Sequence, residues 1–274
     1  MFLAAPRELV LFMSTPHWRL PQGVTRGLWD YAHSDSIAED YDDYFACNRL
    51  FDFDQQVVMR ALVRGGRRGM VADLGCGTGR ALVPLCRQGF QGLAIDLSQR
   101  MLEIVQEKAF NEGLDIHGLR ANLVELDGVA DNSIDHAICL FSTLGMIRLR
   151  SNRERVMRHA ARILKQDGRI VVHVHNFWFN LYDPGGPWWV LKNLARSTIR
   201  RDIEAGDKFF PYRGVPNMFL HVFTRREIAG TLRCAGFEIE EIIPLDTRRH
   251  RALRCRWLFS QLRANGWIVV GRKR

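Results

Sequence analysis

From residue 69 onward, short apolar or β-branched runs alternate with stretches whose apolar positions recur every three or four residues. Runs of that length suit strands buried on both faces, and the 3.6-residue period suits helices lying against them. The pattern predicts strands at 70–74, 92–96, 116–121, 134–140 and 169–175. Ser98 is placed to cap a helix ending near Gly113. Ser151 with Glu154, and Thr224 with Glu227, each form an S/T-x-x-E capping box, and Gly236 closes the last helix. Strands at 237–243 and 267–270 follow. Strand and helix in alternation predict an α/β fold around a parallel, doubly wound sheet.

The gap between His175 and Thr224 is too long for an ordinary connection. It predicts an insertion over 176–223, rich in Trp178, Trp188, Trp189, Phe209, Phe210 and Tyr212, that folds over the sheet as a lid or substrate wall. A small satellite core is the plainer reading of the same aromatics, and the two are compatible. Ahead of the sheet, 37–47 and 52–64 read as helices. Residues 1–30 are expected to form a flexible extension, with 1–12 a start-site extension ahead of Met13. The remainder, 31–274, is expected to be one domain: cap helices at 31–66, a ligand-binding half at 67–175, the insertion, and closing elements at 224–274.

The run Asp73-Leu74-Gly75-Cys76-Gly77-Thr78-Gly79-Arg80 carries the clearest chemistry. It follows a strand and opens a helix, where glycines let the backbone turn sharply and approach a ligand. A dinucleotide fingerprint places a third glycine where Arg80 stands, which disfavours a nicotinamide-dependent oxidoreductase; the acid at Asp73 suits a cationic, aminoacyl-bearing cofactor better than a pyrophosphate. Asp96, at the end of the second strand, can accept both hydrogen bonds of a ribose diol.

These residues, D-L-G-C-G-T-G followed by the D-L-S of the second strand, resemble the class I S-adenosylmethionine-dependent methyltransferases. The resemblance implies a Rossmann-like, mostly parallel seven-stranded sheet with an antiparallel last strand, helices on both faces, and S-adenosylmethionine as cofactor. It implies that Asp73, Gly75, Cys76, Gly77 and Gly79 line the methionine moiety, that Asp96 holds the ribose, and that Leu97 lies against the adenine. Asn122 and Leu123 stand where the family contacts the adenine, with Asn122 in place of the frequent acid. Tyr41 and Tyr44 are placed to cap the cofactor from the N-terminal helices, and core packing accounts for them equally well. The loop 140–146, with Phe141, falls where the family separates donor methyl from acceptor. It is not an N-P-P-Y or Pro-Cys loop, the usual signs of amino-group or C5-pyrimidine methylation of nucleic acid.

An activated methyl donor needs mostly alignment, and a base only if the acceptor is protonated. His175, at the end of the fifth strand, is the candidate base. His173 faces the same way two residues earlier and is expected to be buried. A metal site built from His173, His175 and His221 is conceivable, but no acidic cluster accompanies it in sequence and no metal is expected.

Composition narrows the function classes further. With 47% apolar and 25% charged residues over 274, wholesale disorder is excluded. Six cysteines without CxxC spacing suggest neither a disulfide framework nor a zinc module, and fit a reducing, cytoplasmic compartment. No run of about 18 apolar residues suggests a membrane span. The net charge of +9 resides in 247–274, which holds nine Lys or Arg and no acid. That stretch could contact nucleic acid, but Trp257, Leu258, Phe259 and Leu262 predict a packed helix face with Arg248, Arg249 and Arg251 on its exposed side and preceding loop. A small-molecule methyltransferase is therefore favoured, with an RNA (tRNA) methyltransferase and a non-catalytic cofactor-binding protein as alternatives. Oligomeric state and acceptor identity are not legible.

Overall fold

The computed structural model describes residues 19–46, 50–63, 68–200 and 202–274. The expected start-site extension, Cys47 and Arg64 lie outside them. Five strands run parallel in a central sheet: β1 (Met70–Leu74), β2 (Gln91–Asp96), β3 (Ile116–Arg120), β4 (Ile134–Cys139) and β5 (Leu164–His175). After a two-stranded hairpin, β6 (Asp207–Tyr212) and β7 (Val215–His221), come β8 (Phe237–Pro244) and β9 (Gly266–Lys273). The sheet order is β3-β2-β1-β4-β5-β9-β8, with β9 antiparallel to both neighbours. This is the seven-stranded, doubly wound sheet that the sequence implied. Chain order reverses between β1 and β4, so the loops following those strands open a crevice at the carboxyl edge.

All six β4 residues are buried, including Asp135, whose carboxylate accepts from the Met70 N–H and from Lys165 Nζ, and His136, whose Nδ1 accepts from the Arg169 N–H. Successive residues still serve opposite layers. Ala72, Leu74, Ala137, Val172 and Val174 join the core beneath α7 (Arg150–Ile163) and α9 (Arg225–Cys234). Val71, Ile138 and Val171 join the one beneath α4 (Leu50–Val63), α5 (Leu82–Cys86) and α6 (Gln99–Glu112). The rim holds α1 (Arg26–Ala32), α2 (Asp35–Glu39), α3 (Tyr41–Tyr44), α8 (Gly186–Ile199) and α10 (Ser260–Arg263).

Several local expectations change. Ser98 and Thr224 do cap α6 and α9, accepting from the N–H groups of Met101 and Glu227. Ser151 caps nothing: α7 begins at Arg150 behind Leu149 at φ 71°, and the Arg150 N–H donates to Glu204 at 2.6 Å. The predicted helix at 37–47 is two short helices, α2 and α3, meeting at Asp40. Helix α1 begins inside the stretch set apart as an extension and packs on β7; a Cβ on Gly27 would stand 2.2 Å from the Asn217 carbonyl. The packed helix expected around 257–262 is absent. Trp257 and Phe259 are 84% and 69% exposed, and α10 spans only four residues. Its backbone is held instead by Asn176 Nδ2, which donates to the carbonyls of Gln261 and Ala264.

The insertion supplies a short 3-10 helix (Phe177–Tyr182), α8 and the hairpin. Phe177, Val190 and Val222 make its satellite core. An ion-pair network fastens it to the main body. His221 donates from Nδ1 to Asp207 (2.8 Å) and from Nε2 to Glu227 (2.7 Å), while the buried Arg153 guanidinium bonds Glu204. Two carboxylate partners favour the imidazolium, and they hold the His221 pKa above its usual value against the burial that opposes them.

Candidate active site

The crevice at the carboxyl edge is a cavity of ≈ 340 Å³. At one end, the chain leaving β1 doubles back so that the N–H groups of Gly75 and Cys76 both donate to the Ile95 carbonyl, at 2.8 and 3.1 Å. Gly75 has φ +83°, and a Cβ there would stand 2.3 Å from Thr143 Cγ2, so only glycine fits. Gly77, at φ +53°, faces the Tyr41 ring, which a Cβ there would meet at 3.9 Å. Asp96 is clamped by the same loop: Oδ2 accepts from the Gly77 N–H and Oδ1 from the Ser98 N–H, both at 2.9 Å. Burial raises its pKa, and those backbone donors offset part of the rise.

Asp73 sits deeper, 3% exposed on the cavity wall, and its carboxyl has no hydrogen-bond partner among the described residues. Burial, with Asp96 nearby, pushes its pKa up to about 8. A buried, unpartnered acid beside a second acid calls for a cation. An aminoacyl sulfonium fits this demand, the glycine cradle fits close approach by a ligand, and the fixed Asp96 carboxylate keeps lone pairs for a diol.

Of the residues singled out in the sequence, Asp73, Gly75, Cys76, Gly77, Asp96 and Leu97 line the cavity. So do Asn122, Leu123, Phe141, His175 and Tyr41. Gly79 does not: it lies between Val105 and Val83, 3.1 and 3.2 Å from where its Cβ would be, and serves packing. Tyr44 is 55% exposed and lies under the Arg213 guanidinium, off the wall. The Asn122 amide is partly committed; Oδ1 accepts from the Val124 N–H and Nδ2 donates to the Gln22 carbonyl.

The far end is built by the loop after β4 and the end of β5. Phe141 and Ser142 both have positive φ, 53° and 62°, a conformation that costs free energy in non-glycine residues and clusters at functional sites. The buried Ser142 holds this turn, with its N–H donating to the His173 carbonyl and its Oγ accepting from the His175 N–H. His175 faces the cavity, and burial followed by the nearby Arg249 charge holds its pKa well below the usual value, so the imidazole is neutral at pH 7. His173 is buried behind it with Nδ1 2.5 Å from Asp54 Oδ2. The three histidines do not converge on a metal-type cluster. Among the described residues only Glu204, Asp207 and His221 do, and the Arg153 cation already occupies that network.

Sequence reasoning expected the insertion as a lid and the N-terminal helices as a cap, but missed several residues of the roof. Leu28 and Tyr31 from α1, Phe51 from α4, and Met218 of β7 close over the cavity. Phe210 and Tyr212 point into it while Phe209 is exposed, the two-residue period of a strand. Recognising Arg213-Gly214 as a hairpin turn would have made that alternation legible. Arg249, expected on an exposed face, also lines the cavity, whereas Arg251 is exposed and paired with Asp246.

The fold and the glycine loop are similar to those of the class I S-adenosylmethionine-dependent methyltransferases. Residues 71–168 match the family model described as a methyltransferase domain. A protein of Geobacillus sp. (strain WCH70), named provisionally as a methyltransferase, is 32% identical over 128 residues, covering 46% of this chain and 51% of that one. The demethylmenaquinone methyltransferase of Thermotoga maritima is 29% identical over 217 residues, 75% of this chain and 86% of its own. A crystal structure of a SAM-dependent methyltransferase from Methanosarcina mazei superposes with a TM-score of 0.61 at 19% identity, covering 79% of this chain and 96% of that one. The chain spans about half the length of the first relatives it matches by sequence. No helix among the described residues is long and apolar enough to cross a membrane.

Proposed function

We propose that this chain binds S-adenosylmethionine with its cationic end at Asp73 and transfers the methyl group to a small-molecule acceptor. The observation that carries the reading is the buried, unpartnered Asp73 carboxyl in a glycine-lined cavity whose other wall carries Phe141 and His175. When bound, the sulfonium supplies an activated methyl group. The chain's part is to align and to exclude water. In this reading Asp96 holds the ribose, Gly75, Cys76 and Gly77 pass along the methionine moiety, and Leu97, Asn122, Leu123 and Tyr41 enclose the remainder. Neutral His175 takes the proton from an acceptor hydroxyl or amine as its methyl bond forms.

A small acceptor is supported by the roof of α1, α4 and the hairpin, which encloses the far end of the cavity. The T. maritima relative is named for methylation of demethylmenaquinone, an acceptor that is not a nucleic acid. An RNA acceptor finds less support because much of the basic C-terminal stretch is spent internally. Arg272 pairs with Glu238 and Asp167, Arg256 with Glu241, and Arg251 with Asp246. Free cysteines at 76, 86, 139, 234 and 255 are compatible with the reducing, cytoplasmic setting we propose with it. The test is transfer of labelled methyl from S-adenosylmethionine, run in parallel against a small-metabolite extract and total tRNA. Label in a small product supports the reading, label in tRNA replaces the acceptor class, and donor binding without transfer to either points to a non-catalytic cofactor-binding protein.

A further inference from the structure

The cavity that holds Asp73 also contains a charge that the methyl-transfer reading does not use. Arg249 has φ +58°, an unfavourable conformation that sets it apart from its exposed neighbours Arg248 and His250. It is held by Asp246, whose carbonyl accepts from the Arg249 N–H and whose carboxylate pairs with Arg251. The side chain enters the cavity, where its guanidinium makes no hydrogen bond or ion pair among the described residues. Asp54 is the acid within electrostatic reach, and that carboxylate is bonded to His173. Tyr212 and neutral His175 lie near it, and the aromatic rings of Phe141 and Phe210 line the same cavity. Leaving a guanidinium unpaired in such a place is costly, and its planar fork matches a carboxylate.

We propose that Arg249 is a specificity-determining residue that binds the carboxylate of a flat, aromatic or unsaturated acceptor. This inference rests on the donor reading above, since it places the acceptor beyond Phe141 from the sulfonium. A carboxylate on Arg249 also neutralises the positive charge that adds to burial in depressing His175, so that an acidic acceptor relieves part of that depression in the proton acceptor beside it. An uncharged acceptor of the same shape leaves Arg249 unpaired and His175 weakened, which gives the site discrimination by charge.

The test uses salicylate as the aromatic carboxylate probe and salicylamide as its uncharged counterpart, titrated calorimetrically into full-length protein with and without S-adenosylhomocysteine. The expected result is that salicylate binds roughly tenfold or more tighter than salicylamide. Arg249→Gln removes that preference and Arg249→Lys restores part of it, while affinity for S-adenosylhomocysteine stays within about twofold in both variants. The retained nucleoside affinity shows that the variants are folded. Equal binding of the two probes, no binding of salicylate, or a preference that survives Arg249→Gln overturns the proposal. Selective salicylate binding without any S-adenosylhomocysteine binding would leave the anion site standing and overturn the donor reading instead.

Discussion

Asp73 and Asp96 are neighbouring acids on adjacent strands with different surroundings, and their differences define their work. Asp96 receives two backbone N–H groups and is held as an acceptor; Asp73 receives none and is pushed to a pKa of about 8. Near pH 7 the empty protein therefore carries a largely protonated Asp73, and a cationic ligand favours the ionised form. Binding of S-adenosylmethionine should release protons, and affinity should rise as the pH is raised from 6 toward 8. Calorimetry in buffers of different ionisation enthalpy measures the release, which Asp73→Asn should abolish. The same shift has a sign for stability. The folded state binds this proton more tightly than the unfolded one, so the contribution is complete below a free carboxyl's value of about 3.9 and is lost as the pH climbs through about 8.

At the scale of elements, the N-terminal cap is fastened to the glycine loop by the very residue that breaks the dinucleotide pattern. Arg80 donates to the carbonyls of Asp42 and Phe45 and stacks 4.0 Å over Phe51, while Thr78 Oγ1 and Lys108 bind the Asp42 carboxylate. Arg80→Ala should leave the sheet intact and weaken S-adenosylhomocysteine binding by roughly fivefold to fiftyfold, the loss of one or two hydrogen bonds to a charged group. Unchanged affinity in calorimetry would show that Asp42, Thr78 and Lys108 place the cap unaided. The sequence showed Arg80 only as a missing glycine, because its partners are backbone carbonyls 35 and 38 residues away. The sheet strands, the caps at Ser98 and Thr224, and the glycine loop were legible because each is written in local periodicity or spacing, whereas the antiparallel last strand came from the family resemblance. The hairpin, α8 and the inward turn of Arg249 were not. Their placement depends on long-range contacts such as Val215 against Ile37, Ala38 and Met101. The helical spacing at 257–262 misled because the Asn176 side-chain amide, and not a buried face, fixes the end of that segment.

Across the whole molecule the cavity is a joint product of parts far apart in sequence. The insertion enters after β5, yet Val215 packs on α2 and α6, and Arg213 pairs with Asp40 and stacks on Tyr44. It therefore touches the N-terminal cap and α6 as well as lining the cavity, and its removal should disturb both. A ligand in this cavity must tighten the cap, the sheet loops and the hairpin together. Amide hydrogen exchange with and without S-adenosylhomocysteine tests that claim directly. Slower exchange is expected at 75–81 and 96–98, accompanied by protection in 26–46 and 207–221, and all of it should be lost in Asp96→Ala at the same ligand concentration. Unchanged exchange at 75–81 and 96–98 in the wild type, under saturating ligand, would contradict the account.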